Sequence, residues 1–81
     1  MTETHLNLRG LKCPLPALKT RKALSGLEPG SVILVECTDP LAAIDIPNLL
    51  NETRDALESQ TERDGALVFR IRKAERRPAK L

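Results

Sequence analysis

The sequence predicts an α/β (α+β) fold in the order β-α-β-α-β-β, one mixed sheet with two helices on one face. Three observations carry that expectation. Val32-Ile33-Leu34-Val35 is an unbroken apolar run, of the kind that fills a central strand shielded on both faces. Two segments open on proline, Cys13-Pro14-Leu15-Pro16 and Thr38-Asp39-Pro40. Proline at the first helical position is preorganised and loses no intrahelical bond there. Finally, Asp64-Gly65 is a hairpin-turn pair placed ahead of an alternating apolar segment.

In chain order, Leu6-Asn7-Leu8-Arg9 alternates as a short strand and Gly10 ends it. Gly10-Leu11-Lys12 then leads to Cys13, and a helix runs to about Ser25-Gly26, where glycine supplies the stop. Leu27-Glu28-Pro29-Gly30 reads as a turn, and Ser31 to Cys37 as the central strand. Asp39 is the expected N-cap of the second helix, with Pro40 at its first position. Pro47 lies inside that pattern and is expected to kink or split the helix. Ala56 to Glu62 suits either more helix or a polar hairpin strand, and Ser59, Thr61 and Asp64-Gly65 favour the strand. Ala66 to Arg72 is the last strand, with Leu67, Phe69 and Ile71 on one face. Residues 1–75 make one domain, and 76–81 are a charged tail.

Composition narrows the function. At 81 residues the chain can bury one modest core. A net charge of +2 implies no strong polyanion binding. Phe69 is the only aromatic residue, and single-stranded nucleic acid is usually gripped by aromatic stacking. No apolar run approaches the roughly 20 residues of a bilayer span, and the polar Met1 to His5 segment lacks a signal-peptide pattern. Two cysteines are too few for a disulfide framework, which fits a reducing cytoplasm.

Cys13 is the residue with chemistry. At the N-cap position its sulfur would face the positive helix end, a setting that lowers a thiol pKa and makes a nucleophile. Pro14, Leu15 and Pro16 form the surroundings of that thiolate. At about 100° per residue, Leu15, Lys19 and Lys22 share one helix face. Ala17, Thr20, Leu24 and Leu27 share the opposite one and should pack on the sheet. With Lys12, the first set makes a candidate strip for docking partner proteins, although each lysine is equally readable as an ordinary solvated one. Arg21, at the edge of the buried face, should snorkel. Cys37 keeps the parity of Ile33 and Val35 and reads as a small buried apolar residue, with a resolving thiol for Cys13 as the alternative. His5 belongs to a polar, mobile terminus. The basic end, Arg70, Arg72, Lys73, Arg76 and Arg77, reads as a solvated edge and tail.

Gly10-Leu11-Lys12-Cys13-Pro14-Leu15-Pro16, Glu28-Pro29-Gly30, Thr38-Asp39-Pro40 and Asp45-Ile46-Pro47 occur in an order that resembles the TusA/SirA-like sulfur-carrier family. The resemblance covers about Leu6 to Lys73. It implies a two-layer sandwich with two helices on a four-stranded mixed sheet, and a cysteine that carries sulfane sulfur as a persulfide, here Cys13. It further implies a sulfur donor, such as a cysteine desulfurase or rhodanese-like protein, and acceptor sulfur-relay proteins as partners. No cofactor, metal, membrane or direct nucleic-acid contact is implied. The pattern departs from the family at Asn7, where an acidic residue is common.

Two other functions compete. A binding or regulatory module, for instance for RNA, is opposed by the aromatic shortage. A thiol–disulfide protein would normally show Cys-x-x-Cys, and here Pro16 holds the fourth position, so that reading rests on Cys37. A metal site from Cys13, Cys37 and His5 lacks any ligand spacing.

Overall fold

The computed structural model describes residues 3–74. The element order is β1 (Glu3–Leu8), α1 (Leu15–Ser25), β2 (Val32–Cys37), α2 (Ala42–Thr53), β3 (Ala56–Arg63) and β4 (Ala66–Arg72). The four strands form one sheet in the order β1-β2-β4-β3. β1 runs parallel to β2, with Leu8 opposite Cys37. β4 is antiparallel to both β2 and β3. The mixed sheet and the β-α-β-α-β-β order are as expected. The charged end from residue 75 lies outside the described residues, so the reading of Arg76 and Arg77 does too.

One face of the sheet carries the core. Leu8, Ile33, Val35, Cys37, Phe69 and Ile71 pack there against Leu24 of α1 and Ala42, Ile46 and Leu50 of α2. Register puts Leu6, Val35, Phe69 and Gln60 in one row across the sheet, so alternation along each strand sends a single set of residues inward. The opposite face combines ion pairs with the buried apolar residues Val32, Ala66 and Val68. There Arg70 bridges Glu3 and Glu58, and Arg72 also pairs with Glu58. Arg70 and Arg72 are therefore partnered residues of a solvated face.

Hairpin chemistry is followed closely. Asp64 and Gly65 both take positive φ, 52° and 78°, the combination a two-residue turn of matching twist requires. β3 is almost wholly exposed, which explains why its sequence left helix and strand open.

Four expectations need correction. His5 lies within β1, opposite Leu34, because parallel pairing satisfies the backbone whatever the side chains are. α2 is continuous through Pro47. Proline removes only the N–H that would reach the residue four earlier, and Ala42, Ile46, Leu49 and Leu50 anchor both halves of the helix by burial. On α1 the buried face is Pro16, Thr20 and Leu24, while Ala17 turns sideways toward α2. Asp39 is not the residue that adjoins α2, since Leu41 takes that place. Asp39 instead caps the turn before it, its Oδ1 accepting the Leu41 N–H at 3.0 Å.

Candidate functional site

Parallel pairing of β1 and β2 places the loops that follow them side by side. Gly10, with φ of 84°, turns the chain out of β1 toward Cys13. Two bonds tie this loop to the one after β2. The Gly10 N–H donates to Thr38 Oγ1 at 2.8 Å, and the Cys13 N–H donates to Asp39 Oδ2 at 2.6 Å. Asn7 Oδ1 accepts the Arg9 N–H at 3.0 Å, so the departure from the family pattern at this position still supplies a local acceptor.

Cys13 is exposed, and its peptide to Pro14 is cis. Its thiol donates to Asp45 Oδ2, with Sγ 2.8 Å from that oxygen. Asp45 lies on the first turn of α2. The sulfur and this carboxylate share a groove of about 220 Å³ between the two helices, with Pro14, Leu18, Arg21 and Glu52 also in its walls. A larger open hollow of about 620 Å³ lies at the far end of α2, between Pro47 and Leu57. It holds no nucleophile, so size does not mark the chemistry here.

The electrostatics reverse the expectation from helix capping. Cys13 is not the N-cap of α1; Pro14 is, and no side chain caps that helix. Pro14 and Pro16 have no N–H, and the Leu15 N–H is already taken by the Lys12 carbonyl at 2.8 Å. Little positive helix end is left for a sulfur to face. The bond to Asp45 instead raises the Cys13 pKa above its ordinary 9.0, with some desolvation and the charges of Asp45 and Asp39 acting the same way. These contacts disfavour the thiolate relative to the thiol.

Asp39 behaves oppositely. Hydrogen bonds from the Cys13 and Leu41 backbones, helped by Lys12, hold its carboxyl below the usual range. A depressed carboxylate stabilises the fold above its unfolded pKa, and that contribution disappears as pH falls through the native value. Glu58, lowered by Arg72 and Arg70, contributes in the same window. Asp39→Asn is therefore expected to lower stability at neutral pH and to flatten the loss below about pH 4. Urea unfolding followed by circular dichroism at several pH values checks this; an acid limb identical to that of the parent refutes it.

The proposed docking residues divide. Leu15, Lys19 and Lys22 are exposed on α1, and Lys12 is exposed in the loop before it. The groove wall beside the sulfur is built by Ala17, Leu18 and Arg21 instead, which moves Arg21 from the edge of the core to the site. Pro16 is fully buried and is not part of the groove wall around Cys13. Leu18, Leu41 and Ile44 join Leu15 as large exposed apolar side chains on the two helices. Cys37 is fully buried, and burial, with Asp39 nearby, pushes its thiol up to about 11.

Sequence reading missed the convergence of Asp39 and Asp45 on Cys13. A signal existed. A β-α-β unit with a parallel pair sets the residues after both strands at one sheet edge, so Thr38-Asp39 had to lie near the loop carrying Cys13.

Residues 4–73 match the family described as sulfurtransferase TusA. The chain belongs to that family. It is 33% identical over 72 residues to the sulfur carrier protein TusA of Allochromatium vinosum, covering 89% of this chain and 95% of the relative. A putative sulfur carrier protein of Neisseria meningitidis is 36% identical over 69 residues, covering 85% and 93% respectively. The fold is shared with the crystal structure of a SirA-like protein from Desulfitobacterium hafniense. The TM-score is 0.78 at 22% identity, over 91% of this chain and all of that one. This family frame fits a site made from one exposed thiol between two proline-marked helix starts. No helix among the described residues is long and apolar enough to cross a membrane.

Proposed function

We propose that this protein is a sulfur carrier that accepts sulfane sulfur on Cys13 as a persulfide and passes it to an acceptor protein in the cytoplasm. The carrying observation is the exposed Cys13 thiol at the mouth of a shallow groove, held by its backbone but open on the sulfur side. A carrier needs access from two different partners in turn and no enclosed substrate pocket.

The transfer balances without an external oxidant. A donor persulfide R–S–SH meets Cys13–SH; the bond from R–S to the terminal sulfur breaks and the Cys13 Sγ–S bond forms. The thiol proton of Cys13 leaves and the departing R–S takes up a proton, giving R–SH and Cys13–S–SH. Handing on repeats the exchange with an acceptor thiol. Attack by the sulfur requires the thiolate, so the thiol proton has to leave first.

Partner proteins would contact the exposed apolar residues Leu15, Leu18, Leu41 and Ile44 around the sulfur, with Lys12, Lys19 and Lys22 on the neighbouring solvent face. A cysteine desulfurase with cysteine, and a rhodanese with thiosulfate, are the donors for the test. Intact mass is expected to show one added sulfur on the parent protein and none on Cys13→Ser. An adduct that survives Cys13→Ser, or no adduct from either donor, defeats the reading.

A further inference from the structure

The bond between Cys13 and Asp45 carries a consequence for the loaded and unloaded forms. Sγ donates to Asp45 Oδ2 across 2.8 Å, and the donor in that bond is the thiol hydrogen. A persulfide has no hydrogen on Sγ, because that atom is then bonded to carbon and to the second sulfur. The bond therefore exists only while Cys13 is empty. Loading replaces it with a sulfur lone pair facing a carboxylate.

We propose that Asp45 is a latch for the unloaded state, a positioning residue that accepts the thiol hydrogen of the empty Cys13 against α2 and releases the sulfur once it is loaded. The inference rests on the carrier reading for its loaded half and on geometry alone for its unloaded half. Other groups around the sulfur do not offset Asp45. Asp39, from the loop after β2, is the second carboxylate, and its charge also opposes a thiolate. Lys12, from the loop before α1, lies by Asp39. Arg21 of α1 and Glu52 of α2 stand in the groove wall as one charge of each sign.

The latch has two chemical effects. An empty carrier meets diffusing electrophiles and oxidants as a thiol, the unreactive form, so Cys13 is protected while it waits. Loading must also break the Sγ–Asp45 bond, which stabilises the empty form relative to the persulfide. Sulfur is thereby held less tightly than it would be without Asp45, which favours handing it on. In the exchange R–S–SH + Cys13–SH ⇌ R–SH + Cys13–S–SH, bonds and protons balance as above, and Asp45 biases the position toward the left.

The experiment has two arms on Asp45→Asn and Asp45→Ala, both at a half-exposed position where the fold should tolerate them. In the first, iodoacetamide alkylation of Cys13 is measured from about pH 6 to about pH 10, across the ordinary thiol range, with no sulfur donor present. The midpoint is expected to fall in both variants, with about three- to fourfold faster alkylation at neutral pH for each unit of fall, because the gain in thiolate is partly offset by its lower nucleophilicity. In the second, the protein is equilibrated with glutathione persulfide and glutathione, and the loaded fraction is read by intact mass. That fraction is expected to rise in both variants. A midpoint that stays put or rises in both variants overturns the latch, as does, where the parent loads, a loaded fraction unchanged in both variants. A midpoint that falls while neither the parent nor any variant ever loads supports the thiol-holding half and points instead to failure of the carrier reading.

Discussion

Replacing Phe69 by alanine is expected to cost about 3–5 kcal/mol, the range for emptying a buried aromatic site. Phe69 is fully buried and occupies the middle of the sheet, between Val35 of β2 and Gln60 of β3. It packs in the same cluster as Leu24, Ile33, Val35, Ile46 and Ile71, from both helices and the neighbouring strand. Losing it removes contacts to both layers at once, and no other aromatic side chain exists to fill the space. A domain of this size has roughly 4–12 kcal/mol of stability in total, so the loss is a large share of it and would unfold the variant at the lower end of that range. Far-ultraviolet circular dichroism in urea measures the change. A loss below about 1 kcal/mol would mean that this core is not built around Phe69.

The second large effect concerns the two cysteines. In the native protein Cys37 is expected to alkylate at least about 10³-fold more slowly than Cys13, because its thiol is reached only through opening of the core. It sits at the end of β2 opposite Leu8 and Leu67, with no exposed surface. Its pKa of about 11 suppresses the thiolate further. A time course of iodoacetamide labelling, read by peptide mass, gives both rates in one experiment. Comparable rates would revive Cys37 as a resolving thiol for Cys13. The predicted ratio leaves sulfur exchange to Cys13 alone, which is why the proposed cycle runs through persulfide transfer between proteins and not through an internal disulfide.

Much of this molecule is legible along the chain because the signals are local. Val32 to Val35, the Asp64-Gly65 turn and the alternation from Ala66 to Arg72 each encode their element within a few residues, since strand period and turn dihedrals are properties of adjacent residues. The position of Cys13 before two prolines likewise marked it from sequence as the candidate residue for chemistry. Where local rules were pressed further they failed. Pro47 has the local signature of a break, yet with burial on both sides of it α2 continues through it. Glu3 to His5 lack strand character, yet pairing with β2 makes them a strand.

What the sequence determined by itself is therefore the set of elements and their order, with Cys13 as the candidate sulfur-bearing residue. What only the tertiary structure decided is the state of that sulfur. The capping rule pointed to a lowered thiol pKa; the contacts of the folded chain raise it. The partners responsible, Asp39 and Asp45, lie 26 and 32 residues away from Cys13 along the chain. No periodicity connects residues so far apart. They meet because parallel pairing of β1 and β2 aligns the two strand ends, and a pKa depends on which charges stand within a few ångströms, not on which residues are neighbours in sequence.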